Sequence, residues 1–164
     1  MTARKRFHGP IKNENCERLF LDTEFTDFID CDLISIGIVS DDGQEFYAER
    51  NDFDRTACSN FVHEAVLTQL GADPACVGSA DEIRSALVQW LGGFKQVEIC
   101  VDFSTDWDLL IDLCQQLPDH VTGRNIGREL DPRRVEQYWR ENGRRAHHAL
   151  HDARANRFAF QFSL

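Results

Sequence analysis

The sequence contains no apolar run that approaches the length needed to span a bilayer. The charged beginning, Met1 to Arg6, is not followed by an apolar segment, so we expect neither a signal peptide nor a membrane partner. The six cysteines are scattered and include no C-x-x-C pair, which argues against a disulfide framework and against a zinc site. We therefore expect small buried thiols in a reducing compartment, and hence a cytoplasmic protein.

The chain also lacks internal repeats, low-complexity tracts and an interdomain linker. Its 164 residues are enough for one domain with a sizeable core, and its hydrophobic content of 42% is ordinary for a globular protein. Residues 1–17 are polar and basic without periodicity. They predict a flexible lead-in, followed by a single domain over residues 18–164.

The net charge of −10 disfavours a nucleic-acid partner only if the charge is evenly spread. Residues 124–157, however, contain nine arginines and five acids, which makes this segment net +4 and the remainder net −14. An acidic body beside an arginine-rich segment suits a protein that holds cations in one place and phosphates next to them. The alternative is a solvated helix face whose arginines pair with neighbouring acids.

The order of the predicted elements indicates an α/β fold with a mixed sheet. Three strand patterns come first and predict an antiparallel meander, since an Asp-Asp-Gly turn signal joins the last two: residues 18–25, 33–40 and 44–49. Helical and strand patterns then alternate. Helices are predicted over residues 61–70, 79–91, 105–117, 132–142 and 147–160, with strands over residues 96–102 and within residues 120–126.

Asp22 and Glu24 stand two residues apart in the first predicted strand, so both side chains leave the same face. Two ionised carboxylates this close repel each other unless something compensates. A hard divalent cation with oxygen ligands is the usual compensation. A half-exposed edge strand with its acidic face in water is the alternative.

Two later groups of residues could complete such a site. Asp102, Asp106 and Asp108 follow the fourth strand, although the helix dipole favours an acid at Asp106 even without a function. Three histidines in the last predicted helix then stand beside an aspartate: His147, His148, His151 and Asp152. Half of the six histidines thus lie close to one carboxylate, which is not ordinary surface composition.

Taken together, D-x-E on the first strand, an aspartate after a central strand and H-x-x-x-x-D near the end resemble the DEDDh 3′–5′ exonucleases of the ribonuclease H-like fold. Asp106 best matches the second motif because Leu110 then takes the apolar position four residues on. The other motifs are matched by Asp22, Glu24, His147 and Asp152. The resemblance covers about residues 18–160, and the chain looks most like the small stand-alone exoribonucleases of this family. The sequence departs from many relatives at Val101-Asp102, so Asp102 and Asp108 stay open as alternatives to Asp106.

This resemblance implies a metal-dependent hydrolase that acts on the 3′ end of single-stranded nucleic acid, preferring RNA, and releases nucleoside 5′-monophosphates. It implies two divalent cations, Mg²⁺ or Mn²⁺, held by Asp22, Glu24, Asp106 and Asp152. His147 would take the proton from the attacking water, and Phe25 is a candidate stacking surface for the terminal base. Arginines in the last quarter of the chain would hold the nucleic-acid strand. A homodimer is compatible with the sequence.

Two other functions are compatible with the same residues. One is a DNA 3′–5′ exonuclease of the detached proofreading type, because no motif here reports contact with a 2′-hydroxyl group. The other is a non-catalytic nucleic-acid-binding module of the ribonuclease H-like fold, in which the acidic face holds a structural ion. The four acids and a histidine argue against the second of these.

The choice of histidine depends on where the last helix begins. On an unbroken helix His148 would share a face with Asp152, four residues on, whereas the resemblance selects His147. A helix that begins at about His148 or Ala149 reconciles the two, with His147 on the preceding loop and His148 facing solvent.

Overall fold

The computed structural model describes residues 16–143 and 145–161. Its centre is one six-stranded sheet in the order β4-β3-β2-β1-β5-β6. The strands are β1 (Glu17–Phe25), β2 (Leu33–Ser40), β3 (Glu45–Arg50), β4 (Val77–Gly78), β5 (Val97–Val101) and β6 (Val121–Asn125). Most of the predicted lead-in lies outside the described residues, and Glu17 already belongs to β1.

The strand pairing confirms the α/β prediction and its mixed sheet. β1 pairs antiparallel with β2, and β2 pairs antiparallel with β3, which is the predicted meander. On its other side β1 pairs parallel with β5, and β5 pairs parallel with β6. The two-residue strand β4, parallel to β3, was not predicted because two residues carry no readable alternation.

Five α-helices accompany the sheet in the described part of the chain: α1 (Asn60–Ala65), α2 (Ala80–Leu91), α3 (Ser104–Cys114), α4 (Pro132–Asn142) and α5 (Ala149–Gln161). The predicted helix over residues 61–70 is wrong in length, because a separate 3-10 turn over Leu67–Gln69 follows α1. α2 begins with the capping box of Ser79 and Glu82. None of the helices in residues 16–143 and 145–161 is long and apolar enough to cross a membrane.

Alternation along β1 sends its side chains to two different layers. Leu19 and Leu21 enter the main core, which also contains side chains from α2 and α3. Phe20 points to the opposite layer, where its ring lies 5.5 Å from that of Phe160 on α5. The same alternation then places Thr23 toward α3, and Asp22 and Glu24 toward α5.

The carboxyl end of β1 extends beyond its neighbour β5. Their parallel pairing ends at Phe20 with Cys100, whereas pairing with β2 continues past Glu24 to a bulge before Phe25. β1 is therefore the strand where the sheet changes from antiparallel to parallel neighbours. Ligands in open α/β sheets gather in such a crevice at the carboxyl ends of strands.

Gly37 on β2 allows α5 to approach the sheet closely. A Cβ atom at this position would lie 2.3 Å from the backbone nitrogen of Leu150 and 2.4 Å from the carbonyl carbon of Ala149. Because Gly37 pairs with Asp22 across the sheet, this contact seats the first turn of α5 beside the β1 carboxylates. Any larger residue would push the helix and Asp152 away from them.

Candidate active site

Carboxylates from two distant parts of the chain meet at the end of β1. Asp22 and Glu24 come from β1 and Asp152 from the first turn of α5, and one oxygen of each lies within 4.8 Å of the others. A second group shares Asp22 and adds Asp102, which follows β5, and Asp106 of α3, again within 4.8 Å. The predicted acids are thus brought together, with Asp22 common to both groups.

Asp106 is held in place by the residue between the two β1 carboxylates. Its Oδ1 accepts hydrogen bonds from the Thr23 hydroxyl at 2.6 Å and from the Thr23 backbone N–H at 3.2 Å. The side chain of Asp106 is 3% exposed, and the hydrogen bonds leave its second oxygen available to the cluster. Thr23 therefore orients this carboxylate from the other face of the strand.

The three aspartates after β5 have different environments. Asp108 is exposed and belongs to neither group of clustered acids. Asp102 belongs to one of them and accepts a hydrogen bond from the buried Asn156 side chain. The buried Oδ1 of Asp102 has no hydrogen-bond partner among the residues that the structure describes. Geometry thus separates Asp108 from the cluster and leaves both Asp102 and Asp106 inside it.

Burial and crowding raise the pKa of every carboxyl group in the cluster. Burial, followed by repulsion from Asp152 and Asp106, raises the pKa of Glu24 to about 8. Burial raises the pKa of Asp106 to about 7, although the Thr23 hydrogen bonds oppose it, and that of Asp152 to about 6. Burial and four neighbouring carboxylates raise the pKa of Asp22 well above its usual range. Such shifts mark a site that needs positive charge.

The donor set fits hard divalent cations. It offers carboxylate oxygens alone, the ligands preferred by Mg²⁺ and Mn²⁺, and no thiolate or imidazole belongs to either group. The unpartnered Asp102 oxygen is a further indication, since a buried carboxylate oxygen ordinarily has a partner. A cation shared by several of these groups would compensate their mutual repulsion.

His147 lies on the loop before α5, as the resemblance required. α5 begins at Ala149, and His147 has a left-handed backbone with φ of 66° that breaks the helical run. Its exposed ring packs edge-on against Phe61 of α1, with centroids 4.8 Å apart and planes at 88°. His147 and the clustered carboxylates line the same cavity.

The expectation that His148 faces solvent is wrong. Its ring stacks on Tyr47 of β3 at a centroid distance of 4.7 Å and an angle of 20°, and it also lies 4.5 Å from the ring of His151. Burial lowers the pKa of His148, and burial together with His148 lowers the pKa of His151 to about 4. The backbone N–H of His148 contacts the cluster, since it donates to Asp152 Oδ2 at 3.0 Å.

The cavity beside the carboxylates has a volume of about 580 Å³ and several aromatic walls. Phe25 lines this cavity and also packs against the main core, so its position is compatible with the predicted stacking surface and with a core residue alike. Phe28 is 76% exposed and contacts the rings of both Phe25 and Phe103 edge-on, at 5.2 and 6.3 Å. Trp139 of α4 closes another part of the wall.

The arginine-rich segment divides into paired and exposed residues. Arg154 donates two hydrogen bonds to Glu45 at 2.6 and 2.7 Å, and Arg124 pairs with Glu98 and Glu129. For these residues the alternative of arginines neutralised by acids is confirmed. Others are exposed on or near α4, whose inner side lines the cavity: Arg128, Arg133, Arg140 and Arg145. Arg144 lies outside the described residues.

No protein-family model matches the chain. Two curated proteins of Mycobacterium tuberculosis do match it, one from strain CDC 1551 / Oshkosh and one from strain ATCC 25618 / H37Rv. Each is 29% identical to this chain in an alignment that covers 84% of this chain and 87% of the relative. Both are named 3′-5′ exoribonuclease. This chain is therefore similar to a 3′-5′ exoribonuclease.

The similarity to the mycobacterial exoribonuclease spans more than the motif residues, because it covers most of both chains. Several residues around the site were nevertheless missed from sequence. Thr23 and Asn156 orient acids through side-chain contacts that no spacing rule reports. Phe28, Phe61 and Phe103 are large apolar side chains left exposed, which only the folded structure reveals.

Proposed function

We propose that the protein is a metal-dependent 3′–5′ exoribonuclease of the DEDDh type with a ribonuclease H-like fold. The observation that carries the proposal is the pair of overlapping carboxylate groups that share Asp22, with His147 at the same cavity. The similarity to proteins named 3′-5′ exoribonuclease supports the same reaction class. RNA, by this proposal, is the preferred substrate.

By this proposal two divalent cations would be held here, one by each carboxylate group: Asp22, Glu24 and Asp152 for one, and Asp22, Asp106 and Asp102 for the other. Asp102 extends the ligand set inferred from sequence, which had Asp106 alone after β5. When bound, such ions polarise a scissile phosphodiester and stabilise the charge that develops on the leaving oxygen.

His147 is proposed to accept a proton from the attacking water at a ring nitrogen. The water oxygen forms a bond to the terminal phosphorus, the bond to the 3′ oxygen of the preceding nucleotide breaks, and that oxygen takes a proton from solvent. The products are a nucleoside 5′-monophosphate and a strand shortened by one nucleotide. A side chain on a loop at the cavity suits this step, because an imidazole ring nitrogen can accept a proton from water.

The cavity walls suggest how a 3′ end is bound. The aromatic rings of Phe25, Phe28 and Phe103 are available to stack with an unpaired terminal base. Such stacking does not depend on sequence, because every base has a π-face. The exposed arginines on and near α4 are proposed to contact the phosphates on the 5′ side of the terminal nucleotide. Arg133 and Arg140 stand seven residues apart, so they lie on one side of that helix.

The test uses matched 5′-labelled single strands of RNA and DNA incubated with the protein. We expect a ladder that shortens from the 3′ end in Mg²⁺ or Mn²⁺, nucleoside 5′-monophosphates as products, and no reaction in EDTA. Internal cuts, or full activity in EDTA, would rule the proposal out. Faster digestion of DNA than of RNA would instead favour the detached proofreading type, and tight binding without cleavage would favour a non-catalytic module.

A further inference from the structure

The backbone of the loop that carries His147 is held by one side chain from a different part of the chain. The Gln69 Nε2 atom donates hydrogen bonds to the carbonyl oxygens of Ala146 and His147, both at 3.0 Å. It also donates to the carbonyl oxygen of Ala65 at 2.8 Å. All three acceptors are carbonyls, so the amide nitrogen and not the oxygen of Gln69 must face the loop.

The segment around Gln69 contacts the imidazole as well as the backbone of this loop. Gln69 ends the 3-10 turn that follows α1, and α1 carries Phe61, whose ring meets the His147 ring edge-on. His147 adopts a left-handed backbone that non-glycine residues populate rarely, so its conformation needs support from its surroundings. Gln69 and Phe61 supply that support from one segment, formed by α1 and the 3-10 turn after it.

This segment, which continues to Gly71, is in turn attached to β3 through a buried carboxylate. Glu49, which is 4% exposed, accepts a hydrogen bond from the Gly71 backbone N–H at 2.7 Å and another from the Tyr47 hydroxyl at 2.8 Å. The Tyr47 ring then stacks on His148, the residue next to His147. The segment that holds the His147 loop is thus linked through Glu49 and Tyr47 to His148, which adjoins the same loop.

We propose that Gln69 is a positioning residue that acts through His147. By holding two successive carbonyl groups, it fixes the backbone of the loop and thereby the place of the His147 ring at the cavity. The proposal rests on the proposed function, in which His147 is the general base. Misplacement of a catalytic group by about 1 Å can cost on the order of a hundredfold in rate, so a loosened loop should be visible kinetically.

The variant that tests this is Gln69→Met, which keeps the length of the side chain and removes both N–H donors. We expect kcat for RNA to fall by at least about tenfold, while KM and the affinity for Mn²⁺ change by less than about twofold. Thr68→Val is the matched control, because the exposed Thr68 hydroxyl donates its hydrogen bond to the Glu64 carbonyl oxygen of its own segment, at 3.0 Å. The kcat of Thr68→Val should stay within about twofold of the kcat of the original protein.

A double-mutant comparison separates positioning from general stabilisation. If Gln69 acts through His147, Gln69→Met should cost little further activity in a His147→Ala background. An equal loss in both backgrounds would overturn the proposal, as would unchanged kcat in Gln69→Met.

A second readout does not depend on activity. Nuclear Overhauser contacts between the Phe61 and His147 rings should be present in the original protein and in Thr68→Val, and should weaken in Gln69→Met. Their persistence in Gln69→Met would refute the positioning role. If the original protein fails to cleave RNA, the proposed function falls, and these contacts still decide whether Gln69 holds the loop.

Discussion

Glu24→Gln should stabilise the cation-free protein at alkaline pH and destabilise it relative to the original protein when a divalent cation is bound. The change keeps the shape of the side chain and removes its charge. In the folded protein, burial and repulsion from Asp152 and Asp106 raise the pKa of Glu24 from 4.5 to about 8. Ionising Glu24 therefore requires more free energy in the folded state than in the unfolded chain.

The sign and the pH range follow from that pKa. Below about pH 4.5 Glu24 is protonated in both states, so its charge has no effect on stability. Stability is then lost as the pH rises, until Glu24 is ionised in the folded state above about pH 8. At about 1.36 kcal/mol for each pKa unit, the full cost is about 5 kcal/mol. Water in the open cavity screens part of it, so we expect about 2 kcal/mol in practice.

The assay is thermal unfolding followed by circular dichroism, in EDTA and in excess Mg²⁺, from about pH 4 to about pH 9. In EDTA at pH 9, about 2 kcal/mol corresponds to a melting temperature about 4–8 °C higher for Glu24→Gln in a protein of this size. Near pH 4.5 the two proteins should melt within about 1 °C of each other. In Mg²⁺ the order at pH 9 should reverse, because the original protein binds the cation more tightly.

Glu64→Gln is a suitable control, since Glu64 is exposed on α1 and belongs to neither carboxylate group. It should shift the melting temperature by less than about 2 °C under all conditions, as is usual for surface substitutions. The reasoning is refuted if Glu24→Gln melts below the original protein at pH 9 in EDTA. It is also refuted if Mg²⁺ raises both melting temperatures equally.

Five further substitutions test the assignments of individual residues. Asp22→Asn should leave the melting temperature of the cation-free protein equal or higher and lower RNA cleavage by several orders of magnitude; a lower melting temperature with activity retained would make Asp22 structural. Asp106→Asn should abolish cleavage, whereas Asp108→Asn should keep it within about twofold because Asp108 is exposed; the reverse order would shift the site by two residues. His147→Ala should lower the rate by at least about a hundredfold and His148→Ala by less than about tenfold, with metal affinity intact in both; a larger loss in His148→Ala would move the general base.

The sequence predicted the sheet elements well because their signals are local. The run from Leu33 to Ser40 is nearly all apolar, and β2 has those bounds. The Asp-Asp-Gly signal marked the turn in which Gly43 has a φ of 91°, a conformation that favours glycine. Helix ends were less certain. α3 ends at Cys114 and not Leu117, because Gln115 takes a positive φ that no residue type there announces.

The candidate site was predicted to the extent that it depends on strand alternation and motif spacing. Asp22 and Glu24 had to share a face, and Asp152 was selected with them by the resemblance. The environment of His148 could not be predicted, because its partner Tyr47 is about a hundred residues away in sequence. Gln69 was missed for the same reason, since its contacts with the His147 loop are set by tertiary packing.

The contact of α5 with Gly37 also bears on how the protein is made. Asp22 and Glu24 leave the ribosome early, while Asp152, on a helix packed against β1 and β2, follows about 130 residues later. At roughly 5–20 residues per second, the first carboxylates wait on the order of ten seconds for the last one. A nascent chain that has folded its sheet but not yet received α5 has only part of the acidic cluster and no His147. By our proposal, nuclease activity is therefore assembled only after α5 has been synthesised and has packed against the sheet.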